Sequence, residues 1–309
     1  MLQAAEAAAG TQQHPPATLY VVATPIGNLA DMSLRAIHVL SLVDAVACED
    51  TRHTAPLLRH LGLDKPLLAV HEHNEREASA AVLQRLAAGE RVAYVSDAGT
   101  PALSDPGAVL VAAVQAAGYR TLPLPGASAA LAALSVAGDV VGTGFAFTGF
   151  LPSRGGERAL ALKALAARRD TQVLFEAPHR IESLLSGLAE ACGTRLVTVC
   201  RELTKQFETV LTLPAEQWPA WLAADANRSR GEFVLVVHGL AEEAAADDAA
   251  GFDGTLRPLL AQLPLKQAVG LAAELTGAAR NLLYARALAL KAEGQTEDQD
   301  EDEDDEEDR

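Results

Sequence analysis

The chain has 309 residues, 49% of them hydrophobic, and a formal net charge of −16. This length predicts two packed domains rather than one small core. The three cysteines form no CxxC pair, which argues against a disulfide framework or a structural zinc site and favours a reducing cytosol. No charged start precedes an apolar segment and no apolar run approaches the roughly 20 residues of a membrane span, so we expect a soluble, cytoplasmic protein.

Most of the negative charge lies in two short segments. Residues 297–308 contain eleven acidic side chains and residues 241–253 contain five more, while Arg309 is the one basic residue within 241–253 and 297–309. Runs of like charge repel themselves and stay solvated. We therefore expect an acidic linker at 241–253 and a disordered acidic tail at 294–309. The rest of the chain is nearly neutral, so the net charge does not exclude an RNA partner.

Apolar runs alternate with helical patterns along the chain, which is typical of an α/β fold with a mostly parallel sheet. Residues 1–16 are rich in Ala, Gln and Pro and are predicted to be disordered. In the first domain, residues 17–126, the predicted strands are 18–23, 43–48, 66–70, 91–96 and 120–124. The predicted helices between them are 34–42, 54–61, 75–88 and 108–117.

A second group of apolar runs predicts another α/β domain at residues 127–240. Its predicted strands are 145–148, 171–175, 195–200, 208–213 and 232–237. Because only a loop and a short helix separate the last two, the second sheet is expected to be mixed. Residues 254–293 return to a helical pattern and predict a small helical domain.

Each predicted strand of the first domain is followed by a loop of polar, charged or glycine residues. The carboxyl ends of parallel strands meet at one edge of the sheet, where ligands bind, so we expect these loops to converge. Taken alone, most of these loops are better explained as turns or helix caps. The five loops are residues 24–28, 49–52, 71–75, 96–107 and 123–128.

Several common ligand-binding motifs are missing from the sequence, which restricts the class of ligand that the protein could bind. No GxxxxGK[ST] phosphate loop is present, and Gly142-Thr143-Gly144 is followed by Phe147 where the dinucleotide fingerprint needs a third glycine. His71 and His73 are two residues apart, not four, which excludes the helical zinc-protease motif. A ligand without phosphates, such as S-adenosylmethionine, needs no phosphate loop, and the exposed backbone of Ala98 and Gly99 together with Asp97 could contact it.

Nine short motifs occur in an order that is specific as a set. They resemble the 16S ribosomal RNA (cytidine-2′-O)-methyltransferase family of the tetrapyrrole methylase superfamily over about residues 18–240, with a helical piece of the usual kind from residue 263 onward. Cys48, where Ala is more familiar, and Ala177, where Ser is usual, depart from the pattern but are also small. The motifs are VATPIGNL at 22–29, EDTR at 49–52, HEHNE at 71–75, SDAGTP at 96–101, PGASA at 125–129, GFLP at 149–152, EAPHR at 176–180, RELTK at 201–205 and GEFV at 231–234.

The resemblance implies two α/β domains of the tetrapyrrole methylase type, S-adenosyl-L-methionine in the cleft between them, and a homodimer. The expected reaction is 2′-O-methylation of a cytidine, nucleotide 1402, in the decoding centre of bacterial 16S rRNA, within the 30S subunit. The residues expected to bind the cofactor are Pro25, Asp97, Ala98, Gly99, Thr100, Ala127, Ser128, Ala129, Phe150, Leu151, Ala177 and Pro178.

The attacking hydroxyl is a weak acid, so a general base would assist methyl transfer, and no metal is needed. The candidates are Glu49, Asp50, His71, Glu72 and Glu202. We favour Glu49, His71 and Glu72, because their loops are expected on the cofactor rim.

Basic residues could contact RNA phosphates or stack on the target base, although surface salt bridges explain any one of them about as well. These residues are Arg52, Arg154, Arg158, His179, Arg180, Arg201 and Lys205. The C-terminal helices carry a modest basic face that could grip RNA or serve domain packing alone; it comprises Lys266, Arg280, Asn281, Arg286 and Lys291.

Three other functions stay open at this point. The first is an enzyme of the same fold that methylates a tetrapyrrole or the modified histidine of a translation factor. The second is a cofactor-binding ribosome assembly factor without turnover. A nucleotide-dependent hydrolase is disfavoured by the missing phosphate loop.

Overall fold

The computed structural model describes residues 1–71, 73–153, 155–241 and 251–291. Residues 1–239 form one compact unit, and a second unit begins at Leu240. The predicted division at residue 126 falls in the loop between the two sheets of the first unit, and it stays a prediction. No helix within the described ranges is both long and apolar enough to cross a membrane.

The first sheet of this unit is entirely parallel, as the alternating pattern predicted. Its strands run in the order β3-β2-β4-β1-β5. They are β1 (Thr18–Val22), β2 (Ala45–Cys48), β3 (Leu67–Ala69), β4 (Arg91–Val95) and β5 (Arg120–Leu124). The helices of this part are α1 (Leu2–Ala9), α2 (Leu34–Leu42), α3 (Thr51–His60), α4 (Glu75–Ala87) and α5 (Ala108–Ala116).

Helices cover both faces of this sheet, so its central strands are apolar almost throughout. All four residues of β2 are buried. Tyr20 of β1 packs in one apolar cluster and Tyr94 of β4 in the other. The helix α3 begins three residues before the predicted start, because the Asp50 carboxylate accepts a hydrogen bond from the backbone N–H of Arg52 and caps the helix.

The prediction that residues 1–16 are disordered is wrong. Leu2–Ala9 form α1, whose Ala5 and Ala9 are buried one helical turn apart. Ala5 belongs to the same apolar cluster as residues of α2. The Tyr20 hydroxyl also donates a hydrogen bond to the Pro15 carbonyl at 2.8 Å. Small alanine side chains allow this close packing, although they give no strong amphipathic signal in the sequence.

The second sheet is mixed, as predicted. Its strands run in the order β6-β7-β10-β8-β9, with β6 and β7 parallel and the other pairs antiparallel. The strands are β6 (Phe145–Phe150), β7 (Thr171–Glu176), β8 (Leu196–Arg201), β9 (Thr209–Pro214) and β10 (Phe233–Val237). The helices are α6 (Ala129–Ala137), α7 (Gly155–Ala167), α8 (Ile181–Cys192) and α9 (Trp218–Ala223).

The second unit contains α10 (Asp253–Gln262), α11 (Leu265–Thr276) and a helical segment at residues 280–291. Leu256, Val269 and Leu283 are among the residues of its apolar core. The predicted linker is wrong at Asp253, which opens α10 and forms a 2.6 Å ion pair with Arg286. The rest of the predicted linker, apart from residues 241, 251 and 252, and the predicted tail lie outside the described residues.

Candidate active site

A cavity of about 360 Å³ opens at the carboxyl ends of the first sheet's strands and is lined from both sheets. The first sheet contributes the loops after β1 and β4 and the start of α6. The second sheet contributes the ends of β6 and β7 and parts of β8 and β10. The lining residues are Ile26, Ala98, Gly99, Thr100, Leu103, Ser104, Asp105, Ser128, Ala129, Phe150, Phe175, Glu176, Ala177, Pro178, Cys200, Leu203, Glu232, Phe233 and Val234.

Backbone hydrogen bonds fix three of the loops around this cavity. Thr24 and Gly99 pair through two bonds of 2.9 and 3.0 Å. Gly99 has φ of +85°, a left-handed conformation that favours glycine. The Thr100 hydroxyl donates to the Ala127 carbonyl at 3.0 Å, which ties the loop after β4 to the loop after β5. These hydrogen bonds therefore hold the cavity wall together.

A bulge in β6 brings the second sheet close to these loops. The pairing of β6 with β7 shifts register between Phe147 and Gly149. Gly149 has φ of +67°, and a side chain there would lie 2.9 Å from the Ser104 hydroxyl. The next residue, Phe150, lines the cavity. Its ring packs edge to face against the Phe175 ring, with 5.8 Å between the two ring centroids. The bulge thus positions an aromatic wall.

Three carboxylates line the cavity, whereas its described lining contains no Lys, Arg or His. Glu176 is only 2% exposed and lies 3.0 Å from Arg180 and 3.7 Å from Arg158. Glu232 lies 2.8 Å from the Lys205 ammonium group. Burial raises the pKa of the third carboxyl, Asp105, to about 6, with further contributions from nearby carboxylates. The ionisable groups in the described lining are therefore all carboxylates, two of which have cationic partners behind the wall.

Most residues predicted to bind the cofactor line this cavity. They are Ala98, Gly99, Thr100, Ser128, Ala129, Phe150, Ala177 and Pro178. Four others do not line it: Pro25 and Asp97 face a neighbouring cavity, Ala127 supplies the carbonyl that Thr100 contacts, and Leu151 is buried in the core of the second sheet. Their roles in binding stay predictions.

The residues favoured as the general base are Glu49, His71 and Glu72. Neither Glu49 nor His71 lines the cavity, and Glu72 lies outside the described residues. Glu49 is half-buried, and burial followed by the Asp97 charge raises its pKa. His71 is exposed, and its backbone N–H donates to the Asn74 side chain.

The two remaining base candidates have positively charged partners. Asp50 forms an ion pair with Arg52 at 2.6 Å, and Glu202 forms one with Lys205 at 2.9 Å. A neighbouring cation stabilises the ionised form of a carboxyl group and makes it a poor proton acceptor.

Three of the predicted RNA-binding residues donate hydrogen bonds to backbone carbonyls of the protein itself. Arg158 is 7% exposed and donates to the Pro152 carbonyl, which contradicts its prediction because a buried guanidinium cannot reach RNA phosphates. Arg180 donates to the Leu151 carbonyl, and Arg201 donates to the carbonyls of Arg230 and Asn227.

The other predicted RNA-binding residues differ in their exposure and in their ion pairs. The Lys205 ammonium group is shared by Glu202 and Glu232. Arg52, whose side chain is 86% exposed, and His179 lie at the surface, and Arg154 lies outside the described residues. Arg52 and His179 therefore keep their predicted role as proposals.

A second cavity of about 430 Å³ adjoins the first. The two share a wall, because Ile26 and Ala98 line the first while their neighbours Pro25, Gly27 and Asp97 line the second. The rest of the second lining comprises Thr24, Leu29, His53, Thr54, Pro56, Leu57, His60 and Ser96.

One side of this second cavity is closed by a contact between α3 and the loop after β4. The His53 ring lies 2.7 Å from the Asp97 carboxylate, and this hydrogen bond raises the pKa of His53. Ligand atoms of Asp50, His53 and Asp97 lie within 4.8 Å of one another. Their mutual hydrogen bonds account for the arrangement without an ion.

Several lining residues were missed by sequence reasoning. Asp105 lies in Ser104-Asp105-Pro106-Gly107, which was read as part of a strand-end loop but also as a tight turn with helix caps. Glu176 opens the EAPHR motif, yet only its neighbours were assigned to the cofactor. Leu203 and Phe233 lie within recognised motifs but are apolar, so local sequence carried no signal that they reach the cavity.

Comparison with known proteins identifies the family of this fold. Residues 18–219 match the family model described as Tetrapyrrole (Corrin/Porphyrin) Methylases, and residues 245–291 match the RsmI C-terminal HTH domain. Diphthine synthase superposes with a TM-score of 0.54 at 16% identity, covering 72% of this chain and 90% of that one. A uroporphyrin-III C-methyltransferase from Thermus thermophilus, complexed with S-adenosyl homocysteine, superposes with a TM-score of 0.50 at 17% identity. The match covers 71% of this chain and 96% of that one.

The sequence relatives are more similar than these structures. Proteins named ribosomal RNA small subunit methyltransferase I are 48% identical in Pseudomonas aeruginosa, covering 88% of this chain and 96% of the relative, and 48% identical in Xylella fastidiosa, covering 87% and 98%. The Escherichia coli O157:H7 protein of that name is 46% identical, covering 87% and 94%. The chain therefore belongs to the ribosomal RNA small subunit methyltransferase I family, within the tetrapyrrole (corrin/porphyrin) methylases.

Proposed function

We propose that this protein transfers a methyl group from S-adenosyl-L-methionine to the ribose 2′-hydroxyl of a cytidine in bacterial 16S rRNA, at nucleotide 1402 of the decoding centre. The observation that carries the proposal is the cavity at the carboxyl ends of the strands, with three carboxylates and no described cationic side chain in its lining. Family membership supports methyl transfer to small-subunit ribosomal RNA.

The cavity fits this cofactor chemically. Its volume lies within the range of about 300–1,000 Å³ that is usual for small-molecule sites. S-adenosylmethionine carries a sulfonium and an ammonium cation and no phosphate, which suits a lining that contains Asp105, Glu176 and Glu232. Phe150 and Phe175 offer apolar surface for the adenine ring. The described lining offers a nucleotide phosphate no Lys, Arg or His side chain, which disfavours a nucleotide-dependent hydrolase.

The protein's part in the reaction is to hold the reactants in line and to exclude water. When bound, the cofactor supplies an electrophilic methyl carbon. The Thr24–Gly99 pairing and the Thr100–Ala127 hydrogen bond hold the loops that would surround it. Because these contacts fix the loop backbones, they lower the entropy cost of orienting the reactants.

The second cavity is our proposed site for the target nucleotide. It adjoins the cofactor cavity across a thin wall, and Pro25, Pro56 and Leu57 give it apolar surface for a base. Exposed Arg52, on α3, could neutralise a phosphate of the bound RNA.

The second unit is a further proposed RNA contact. It matches a helix-turn-helix domain model, and Lys266, Arg280, Asn281 and Lys291 are exposed on its helices. Arg286 instead pairs with Asp253. We also propose a homodimer that acts in the cytoplasm on the 30S subunit.

The test is to map ribose methylation in 16S RNA by mass spectrometry, with and without this protein. Small subunits from a strain that lacks the gene should gain one methyl group at the cytidine when purified protein and cofactor are added. Unchanged RNA would contradict the proposal. Tight subunit binding without methyl incorporation would favour an assembly factor, and methylation of a tetrapyrrole or a protein in place of RNA would favour the other enzymes of this fold.

A further inference from the structure

The three carboxylates that line the cofactor cavity have different neighbours. Glu176 lies between Arg158 and Arg180, and Glu232 lies against Lys205. Both carboxylates are therefore engaged in ion pairs with side chains of the protein itself.

Asp105 has the opposite surroundings. Within the described part of the chain it has no ion pair with Lys, Arg or His, and the charges that face it are the carboxylates of Glu49, at the end of β2, and Asp97, after β4. The Ser96 hydroxyl, which donates to the Gly99 carbonyl at 3.3 Å, lies near it, and the Tyr94 hydroxyl is close enough to feel its charge. Burial and like charge both favour the protonated form of Asp105.

The position of Asp105 is set by an unusual loop. Ala102 and Ser104 have φ of +66° and +67°, and the Ala102 N–H donates to the Pro106 carbonyl at 3.2 Å. Non-glycine residues in this conformation are strained and persist where surrounding structure holds them, often at functional sites. The loop places Asp105 in the lining of the cofactor cavity, within electrostatic reach of Asp97, which lines the second cavity.

We propose that the Asp105 carboxylate accepts the proton of the attacking ribose hydroxyl. The inference rests on the proposed function. The hydroxyl oxygen forms a bond to the methyl carbon while the carbon–sulfur bond breaks and its electron pair stays on sulfur, and the hydroxyl proton moves to a carboxylate oxygen of Asp105. Solvent then takes this proton. A base whose pKa lies near the working pH is more effective than an ordinary aspartate.

The variant Asp105→Asn tests this role, since it keeps the size of the side chain and removes the proton acceptor. We expect single-turnover methyl transfer to 30S subunits to fall about 100-fold or more, while the dissociation constant for S-adenosylhomocysteine, measured by calorimetry, changes less than about twofold. Asp105→Glu should recover part of the rate. The exposed Asp64, before β3, provides the matched control Asp64→Asn, which should transfer methyl groups normally.

Two further measurements need no activity from the variant. The wild-type transfer rate should fall tenfold per pH unit below about pH 6. Asp105→Asn should also raise the melting temperature at pH 8, because it removes a half-buried charge that Glu49 and Asp97 repel, and it should do so much less at pH 4, where folded Asp105 is protonated.

The results separate this inference from the proposed function. An Asp105→Asn variant that retains half the rate of an active wild-type protein would overturn the role of Asp105 alone. Loss of S-adenosylhomocysteine binding in both the Asn and the Glu variants would overturn it too, since Asp105 would then be a cofactor ligand. A wild-type protein that methylates no RNA would instead overturn the proposed function.

Discussion

Thr24 and Gly99 exchange two backbone hydrogen bonds, of 2.9 and 3.0 Å, that join the loops after β1 and β4. Strands β1 and β4 are neighbours in the sheet, so this pairing continues their contact beyond the strand ends in an antiparallel sense. The pair lies between the two cavities, because Gly99 lines the first and Thr24 lines the second. The geometry of the site therefore depends on a glycine conformation.

We expect Gly99→Ala to weaken cofactor binding. Gly99 has φ of +85°, and an added Cβ would lie 3.4 Å from the Ile26 side chain, so the variant should lose about 1 kcal/mol of unfolding free energy and bind S-adenosylhomocysteine about tenfold more weakly. Gly89→Ala is a matched control, since Gly89 has φ of +84° and open space around it. Calorimetry should show normal binding by the control despite a similar loss of stability. Equal binding by both variants would contradict the expectation.

Replacement of Arg158 should damage folding rather than RNA binding. Arg158→Met leaves the buried Glu176 carboxylate with Arg180 as its remaining charged neighbour, and losing one partner of a buried ion pair costs about 3 kcal/mol. Urea unfolding measures this loss.

The exposed Arg52 supplies the contrast. Arg52→Met should leave the melting temperature unchanged. It should also reduce the slope of log RNA affinity against log salt concentration by about one, because one phosphate contact is lost. A normally stable Arg158→Met variant with weakened RNA binding would restore the original prediction for Arg158.

The Asp139 carboxylate should stabilise the fold in a pH-dependent way. Burial alone would raise its pKa, but hydrogen bonds from the Thr171 hydroxyl and from backbone amides including Gly142 and Gly239 outweigh burial and lower the pKa to about 2. Because the pKa of Asp139 is lower in the folded protein than in the unfolded chain, where it is near 3.8, the ionised carboxylate stabilises the fold at pH values above 3.8. This stabilisation is lost as the pH falls toward about 2.

We therefore expect Asp139→Asn to lower the unfolding free energy by about 2 kcal/mol at pH 7 and to match wild type near pH 2. Urea unfolding over this pH range measures the difference. Asp64→Asn, at an exposed aspartate, should change little at any pH. A difference between Asp139→Asn and wild type that does not vary with pH would show that the hydrogen bonds act independently of charge.

Filling the second cavity should impair RNA binding without affecting the cofactor. Leu57→Trp adds bulk to the wall that α3 contributes, so KM for the 30S subunit should rise about tenfold or more while S-adenosylhomocysteine affinity stays the same. Leu160→Trp adds the same bulk at an exposed position on α7 and should behave like wild type. An unchanged KM in Leu57→Trp would place the target nucleotide elsewhere.

Part of this architecture follows from local sequence. Apolar runs such as 91–96 are short and lie between helical patterns, and such alternation leads to a parallel sheet because only crossover helices join parallel strands at this spacing. Since every parallel strand ends at the same edge, the loops after β1, β4 and β5 were expected to meet, and all three contribute to the cavity or its supporting hydrogen bonds. The motifs then pointed to the correct family.

Only the tertiary structure decided which charged groups serve the site and which serve the interior. Nothing local distinguishes buried Arg158 from exposed Arg52, because burial depends on the Glu176 carboxylate that β7 brings alongside. Asp105 likewise looks like a helix cap in sequence, and its surroundings arise when β2 and β4 bring Glu49 and Asp97 beside it. Secondary structure follows from periodicity within a segment, whereas the charge state of a side chain depends on neighbours that are distant in the chain.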